Sequence, residues 1–366
     1  MAPGQRDYRL TGPDGARAVE RGLASAAWYR SEIPREAMKA LMQRSDQPAI
    51  RDTAIWLGCM MLFGGLGIWF WGTWWSLPFF FAYGVLYGSA SDSRWHECGH
   101  GSAFQTPWMN RAVYQTACFM IMRNPVTWRA SHTRHHADTV IIGRDPEIVV
   151  MRPARLLRIL GNFFGIFDGL QAMQRMVLNA SGRLDPEEVL YIPEALHRRV
   201  TRVARVWCLI YASTAGAALY MQSILPFMLI GLPRFYGAWH QVLTGILQHA
   251  CLAENVLDHR LNSRTVYMNP ISRFIYWNMN YHVEHHMYPM VPYHALPKLH
   301  ELIKHDLPAP SPSIWAAYKE VIRALLIQRR NPDWFVKRPL PESAQPYRTE
   351  FRGEIVPVMA AGQEAA

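Results

Sequence analysis

Cysteine is sparse and shows no paired spacing: the chain has five, Cys59, Cys98, Cys118, Cys208 and Cys251, scattered and odd in number. That excludes a disulfide framework and a cysteine-held iron–sulfur cluster, and leaves reduced thiols. There is no P-loop, no GxGxxG fingerprint and no internal repeat of fixed period, so nicotinamide or nucleotide binding has no support. Basic and aromatic residues are not interleaved in the manner that stacks bases, which argues against a nucleic-acid partner despite the net charge of +10. The amino-terminal MAPGQRDYRL holds no apolar h-region. A cleavable signal is therefore not expected, and the first span must itself direct insertion.

Charge is missing where it matters most. Between Arg51 and Arg94 there is no lysine or arginine, and residues 53 to 91 carry no charge at all. About 20 helical residues cross a bilayer core roughly 30 Å thick, so this stretch is long enough for two spans joined by a tight turn near Gly72 to Ser76. A second uncharged stretch runs from Val206 to Pro233 and resumes after Arg234 from Phe235 to Ala253. It suggests another pair, with the turn either at Pro226 and Arg234 inside the fourth span, which is the reading favoured here, or extending to Pro233. The expected spans are residues 53–71, 76–92, 206–224 and 227–248, and span two leads without a break into Trp95 and His96. Buried core helices are also apolar, but they rarely remain uncharged for so long.

Lysines and arginines fill the first fifty residues, the stretch from Arg144 to Arg205 and the tail after Arg260, while the two hairpin turns near Gly72 and Pro226 carry none. This positive-inside pattern places both termini and the middle segment in the cytoplasm, in a multi-pass protein of the kind found in a bacterial inner membrane. Three regions follow: a cytoplasmic amino-terminal segment (1–50) with an amphipathic helix near Pro34 to Arg44, a membrane domain (51–310), and a cytoplasmic tail (311–366), loosely ordered at its end. Residues 112 to 122 are apolar but too short to cross, and would lie at the interface. The basic cytoplasmic face would rest on anionic membrane lipids.

Fifteen histidines are present, and eight fall in three clusters: His96 and His100 in HECGH, His132, His135 and His136 in HTRHH, and His282, His285 and His286 in HVEHH. Residues three and four apart share a helix face, so each cluster aims its imidazoles at one region. Imidazole suits iron, zinc, copper or nickel, and eight are too many for one ion; two ions are the natural count. A structural zinc site or a pH sensor is the bland alternative, and a lone HxxxH would merit it. His96-Glu97-Cys98-Gly99-His100 also satisfies HExxH, in which two histidines bind zinc and the glutamate is the general base of a protease. A membrane zinc protease, however, would leave the other two clusters without a task.

The stretches HECGHGSAF, HTRHHADT and NYHVEHHMYPMVPYHALP resemble the three histidine boxes of the membrane fatty acid desaturase superfamily, over about residues 50 to 305, and the third box with Tyr281, Pro289 and Pro292 is similar to bacterial desaturase and hydrocarbon-oxygenase-like members. The resemblance implies an all-α integral membrane protein: four transmembrane helices in two hairpins, a cytoplasmic helical cap carrying the boxes, two iron ions (Fe2+/Fe3+) and a substrate tunnel. It also implies a ninth metal histidine soon after the fourth span. Of His240, His249 and His259, His249 fits best, with His259 in reserve. No catalytic group beyond the metal ligands is expected. Asp92, Glu97, Asp138, Asp145, Glu254 and Glu284 are candidates for carboxylates that orient imidazole N–H groups, with a solvated face as the alternative for each. His294, His300 and His305 read as ordinary cap or surface residues, and Trp128, Trp239 and Phe79 to Phe81 as packing or tunnel lining.

The activity implied is oxidation, by O2 and two external electrons, of an unactivated C–H bond in a lipid-like acyl or hydrocarbon chain. Desaturation is the first expectation, and hydroxylation or ketone formation at the same site the alternative. No HPGG motif of a fused cytochrome b5 is present. The electrons are therefore expected from a separate partner, an acidic ferredoxin or rubredoxin.

Overall fold

The computed structural model describes residues 6–24 and 26–348; the far end of the tail, expected to be loosely ordered, lies outside the described residues. Every regular element among them is helical, and the only pairings of extended backbone are isolated bridges, Thr265 with Tyr281 and Val266 with Ser311.

Two helices are long and apolar enough to cross a membrane by length and composition. The first is Asp46–Trp69, reached from the short helix Arg35–Leu41; the second is Glu194–Tyr220. Both carry exposed apolar side chains: Met61 and Leu62 on one, Val206, Leu209 and Leu219 on the other. Trp69, Trp74 and Trp75 stand exposed at the first hairpin tip and Tyr220 at the second, where amphipathic rings suit a membrane interface. Arg35–Leu41 does not stand free: Leu41 packs into the cluster around Val283, Met287 and Leu299.

The second expected span is the first half of a helical rod that runs from Ser76–Gly84 through a π-helical turn, Val85–Ala90, into Ser91–His100. The π turn re-phases the helix between its apolar end and its histidine end. Gly101, at φ 69, ends it in the left-handed conformation that a side chain would disfavour.

The remaining spans differ from expectation. Residues 206–224 are not a span that starts at Val206: the helix begins at Glu194, because Val200 and Ala204 continue the buried stripe through a basic stretch. It stops at Tyr220. Residues 227–248 do not form one helix. They form three pieces, Leu225–Leu229, Pro233–Tyr236 and Trp239–His249, separated at Gly231 (φ 97) and Gly237. Pro226 opens the first piece rather than marking the turn. Proline supplies no N–H for a continuous ladder, and the break lets the chain approach the π turn closely. A Cβ on Gly237 would stand 1.8 Å from the Gly84 carbonyl oxygen, and one on Gly88 2.6 Å from that of Pro233, so Gly84-xxx-Gly88 is the small-residue face on which the broken segment seats. Ser89 fastens the joint, donating to the Gly237 carbonyl at 2.6 Å and accepting from the Gln241 N–H at 2.8 Å. Arg234 is buried beside it, its Nε donating to the Ile121 carbonyl.

Below the histidines lies a core of Trp95, Phe104, Tyr114, Cys118, Trp207, Trp277 and Tyr293. Pro107–Met120 packs along Ser91–His100 and leads to Pro125–Ala137, which Asn124 caps by accepting from the Val126 N–H. Ile314–Gln328 buries Ala317, Val321 and Ala324 against Ile246 and Leu247, at the end of the segment that carries His249.

Candidate metal centre

The three boxes sit on Ser91–His100, Pro125–Ala137 and His282–Met287, and their imidazoles converge into two groups. His96, His100, His132, His136 and His285 form one; His135, His249, His282 and His286 form the other; within each, one nitrogen per ring lies within 4.8 Å of the rest. The two HxxHH boxes divide in opposite senses. The second gives its i,i+4 pair, His132 and His136, to the five-membered group and His135 to the four-membered one; the third gives His282 and His286 to the latter and His285 to the former. On a helix the pair four apart points one way and the residue beside it is turned by about 100°, so a single box reaches two centres.

In the larger group the Nε2 atoms face one another: His96 to His285 at 2.8 Å, His100 to His132 at 3.1 Å, His132 to His96 at 3.2 Å, His136 to His132 at 3.1 Å and His285 to His136 at 3.2 Å. In the smaller, His282 Nε2 is 2.9 Å from that of His249 and 3.0 Å from that of His286. Two nitrogens about 2.1 Å from one ion and at right angles stand ~3 Å apart, which these separations match. Burial first, and neighbouring imidazoles second, hold His96, His100, His136, His282, His285 and His286 well below the usual imidazole range; burial and His135 do the same to His249. Neutral rings cannot all donate to one another. A cation would satisfy their converging lone pairs together, and two such sets of imidazole nitrogens fit two irons.

The protein holds the far sides of His132, His135, His249 and His286. His132 Nδ1 lies 3.0 Å from Glu147, which also accepts from Ser131 Oγ at 2.7 Å. His135 Nδ1 lies 2.9 and 3.0 Å from the two Asp145 oxygens, and Asp145 in turn accepts from the Val140 and Glu147 N–H groups. His249 Nδ1 donates to the Asn262 carbonyl at 2.8 Å, His286 Nδ1 meets Thr139 Oγ1 at 3.2 Å, and His285 Nδ1 stands 3.5 Å from Glu97. Burial works against the charges here, yet Asp145 outweighs it and raises His135 to about 8, while His132 pulls Glu147 down to about 2.

Of the carboxylates expected beside the imidazoles, Asp145 and Glu97 are there. The others are not. Asp92 accepts from Trp95 Nε1 and Arg123; Asp138 pairs with Arg144; Glu254 pairs with Arg6 and accepts from Tyr8; Glu284 turns away to Thr265 and His300. His300 is thus a buried structural partner rather than a surface residue. Glu147 was missed, although it follows Asp145 by two positions in the same GRDPE turn and could have been found as the second acid of that turn. His259 lies outside both groups, with its ring centroid 5.0 Å from that of His286, and His240 bonds Ser272 away from them.

The HExxH reading does not fit this geometry. Glu97 is fully buried, accepts from the Tyr293 N–H and Ser102, and is pushed by burial to about 8, so it faces no open position where a general base would meet water.

Comparison with known proteins agrees with the boxes. The chain is 24% identical over 298 residues to a chloroplastic sn-2 acyl-lipid omega-3 desaturase (ferredoxin) of Helianthus annuus, a match that takes in 75% of this chain and 65% of the relative, so somewhat less than two thirds of that protein's length is spanned. It is 34% identical over 74 residues, 19% of each chain, to an omega-6 fatty acid desaturase, endoplasmic reticulum isozyme 1, of Glycine max. The fatty acid desaturase family model matches residues 72–318, which include all nine converging histidines, and the chain belongs to that family.

Proposed function

We propose that this chain is an O2-dependent di-iron oxidase of the membrane that removes two hydrogens from an unactivated C–C segment of a lipid-like acyl or hydrocarbon chain. The observation that carries the reading is the convergence of nine imidazoles into two neighbouring groups, His96, His100, His132, His136 and His285 in one and His135, His249, His282 and His286 in the other. In this reading those nine hold the metal, and Glu147, Asp145 and Glu97 fix ring orientation. Two irons held there supply O2 reduction and hydrogen abstraction, the overall change being one alkene and two waters from one saturated chain, O2, two electrons and two protons.

The chain's own residues provide the rest. Buried Trp95, Tyr114 and Trp277 keep bulk water from the imidazoles, and the exposed apolar flanks of the two long helices face lipid, from which an apolar substrate enters. The π turn and the broken segment packed on it would form the wall along which the substrate approaches. Both termini and the histidine groups are assigned to the cytoplasmic side of a multi-pass protein, in keeping with the uncharged turns at 70–75 and 221–224 and the basic segments that flank them. A separate one-electron donor is required, and the ferredoxin in the sunflower relative's name makes a ferredoxin the first to try.

Expression of the chain with a ferredoxin and its reductase, followed by lipid extraction and mass spectrometry, tests the reading. Loss of two hydrogens from a lipid supports desaturation; gain of one oxygen moves the activity to hydroxylation; neither, in a protein without iron, sinks it.

A further inference from the structure

The amino-terminal strap offers a route to the buried centre that its histidine boxes do not. Residues 26–33 cross the face of the third box and are tied down along their length. The Tyr29 N–H donates to the Leu257 carbonyl at 2.9 Å, Tyr29 Oη and Ser31 Oγ both donate to Asp306, and Tyr288 Oη donates to the Ser31 carbonyl. This holds Trp28 in one place, half-buried, its Nε1 donating to the Ala137 carbonyl at 3.0 Å. The Trp28 ring lies flat on that of His259, centroids 4.2 Å apart and planes within 3°. His259 is buried, its Nδ1 has no hydrogen-bond partner, and its ring lies 5.0 Å from that of His286 in the four-membered group. A π-stacked pair therefore bridges the protein surface and the metal site.

The surface around Trp28 is basic. Arg30 is exposed and reaches over the Tyr288 ring, Arg348 donates to the Ala27 carbonyl, and Arg134 and Arg144 share the single carboxylate of Asp138, the residue after the one that Trp28 bonds. Among the described residues, Arg30, Arg134, Arg144 and Arg348 stand there against Asp138 and the exposed Glu32 of the strap.

We propose that Trp28 and His259 form the electron-entry port of the protein, and that the arginine rim seats an acidic one-electron carrier protein over Trp28. The inference rests on the di-iron reading above. In each encounter the carrier loses one electron and one ferric ion gains it, becoming ferrous. The stacked rings serve only as the medium crossed, with no bond made and no proton moved, and two encounters supply the two electrons of one turnover. Electron transfer decays steeply with the gap between donor and acceptor. Two aromatic rings in contact reduce a protein-thick barrier to short steps, whereas an aliphatic side chain at position 28 reopens it.

The test uses the full-length, iron-loaded protein in detergent and a reduced plant-type [2Fe–2S] ferredoxin, an acidic protein, as the probe. Anaerobic stopped-flow absorbance follows oxidation of the ferredoxin as the ferric centre is reduced. Trp28→Leu should slow this at least ~10-fold while iron content and reduction by dithionite stay as in the wild type, and Trp28→Phe, which keeps the stack, should recover most of the rate. Arg30→Glu should weaken binding of oxidised ferredoxin to the metal-free protein roughly 10-fold at low salt, with the difference fading as salt is added. Wild-type reduction rates in Trp28→Leu overturn the port. Should that variant lose its iron, the decision passes to Arg30→Glu and Trp28→Phe: unchanged ferredoxin binding in the first, or a rate in the second no higher than with no stack at all, overturns the proposal. A wild-type protein that binds no iron fails the di-iron reading instead, and the metal analysis made beforehand keeps the two failures apart.

Discussion

The two histidine groups are built from the same helices by the same spacing, yet they differ by one ring. Boxes two and three contribute a pair and a single imidazole each, crossed over, so that each centre receives three. The larger group then gains His96 and His100, an i,i+4 pair from the end of a continuous rod, while the smaller gains only His249, at the end of a segment broken into three pieces. An ion that accepted six ligands would keep one position open in the larger group and two in the smaller. The smaller group has the less redundant donor set and the more room for exogenous ligands. Its outer support also differs: Asp145 is its one carboxylate, the rest being the Asn262 carbonyl and the Thr139 hydroxyl, whereas the larger group has Glu147 bonded to His132 and Glu97 standing 3.5 Å from His285 without a hydrogen bond.

The broadest way to break the comparison is to remove the metal from both groups. Chelation should abolish oxidation of any lipid and lower stability by about 4 kcal/mol per ion when free metal had stood ~1,000-fold above its dissociation constant, because the unfolded chain has no such site. Thermal unfolding with and without a strong chelator measures it, alongside metal analysis expected to find about two irons per chain, and iron is expected to restore what chelation took. An unchanged melting temperature would mean that the imidazoles pack without an ion.

A sharper cut separates the groups. His249→Ala leaves three nitrogens in the smaller group and should cost about one iron per chain, with activity down at least ~100-fold, beyond even what outer partners cost. His100→Ala leaves four, the number the other group has throughout, and should retain more iron. His259→Ala should leave both irons bound. Iron loss from His259→Ala with full occupancy in His249→Ala would reverse the assignment of the ninth ligand.

One step smaller are the outer carboxylates. Glu147→Gln and Asp145→Asn each should weaken iron binding in their own group by ~10- to 100-fold, read as the chelator concentration that removes half the metal. Asp145→Asn should be the worse of the two for the smaller group, which has no second carboxylate, while Glu97 backs up the group that Glu147 serves. Equal effects would remove the asymmetry argued here.

The sequence discloses the imidazoles far better than what surrounds them, for a physical reason. Spacings of three and four residues act within one helix, so HxxHH can be recognised without knowing the fold. How the boxes share their rings depends on where three helices meet. The place of His249 beside His135, His282 and His286 was legible because a polar ring at the end of an apolar stretch is costly without a partner. Glu147 was visible as the second acid of GRDPE, but its tie to His132 arises from the turn at 138–147, whose backbone no periodicity describes. The uncharged stretches located the apolar segments, but the break at Gly231 and Gly237 and the π turn at Val85–Ala90 follow from glycine-mediated packing between segments about 150 residues apart in sequence, which hydropathy does not sense. Glu284, between His282 and His285 in sequence, was a candidate to orient an imidazole of the centre, yet on the helix it faces away from them to Thr265 and His300.

Asp92 gives the smallest expected effect and tests how far the larger group's support extends. Its carboxylate touches no imidazole; it holds Trp95 Nε1 at 2.9 Å and Arg123 at 2.8 Å, and the Trp95 ring in turn stands edge-on to His132, centroids 5.2 Å apart. Arg123 is also held over Trp128 at 3.9 Å, so the pair would keep much of its geometry if Asp92 lost its charge. In Asp92→Asn one oxygen remains to accept from Trp95 while the tie to Arg123 weakens, so stability should fall by about 1–2 kcal/mol. Iron binding should change less than the ~10-fold at which direct outer partners begin. Chelator titration beside thermal unfolding reads both quantities on one preparation. A drop in iron affinity as large as that of Glu147→Gln would show that an aromatic ring transmits orientation to His132 as firmly as a hydrogen-bonded carboxylate, and the larger group would then have three supports where two are counted now.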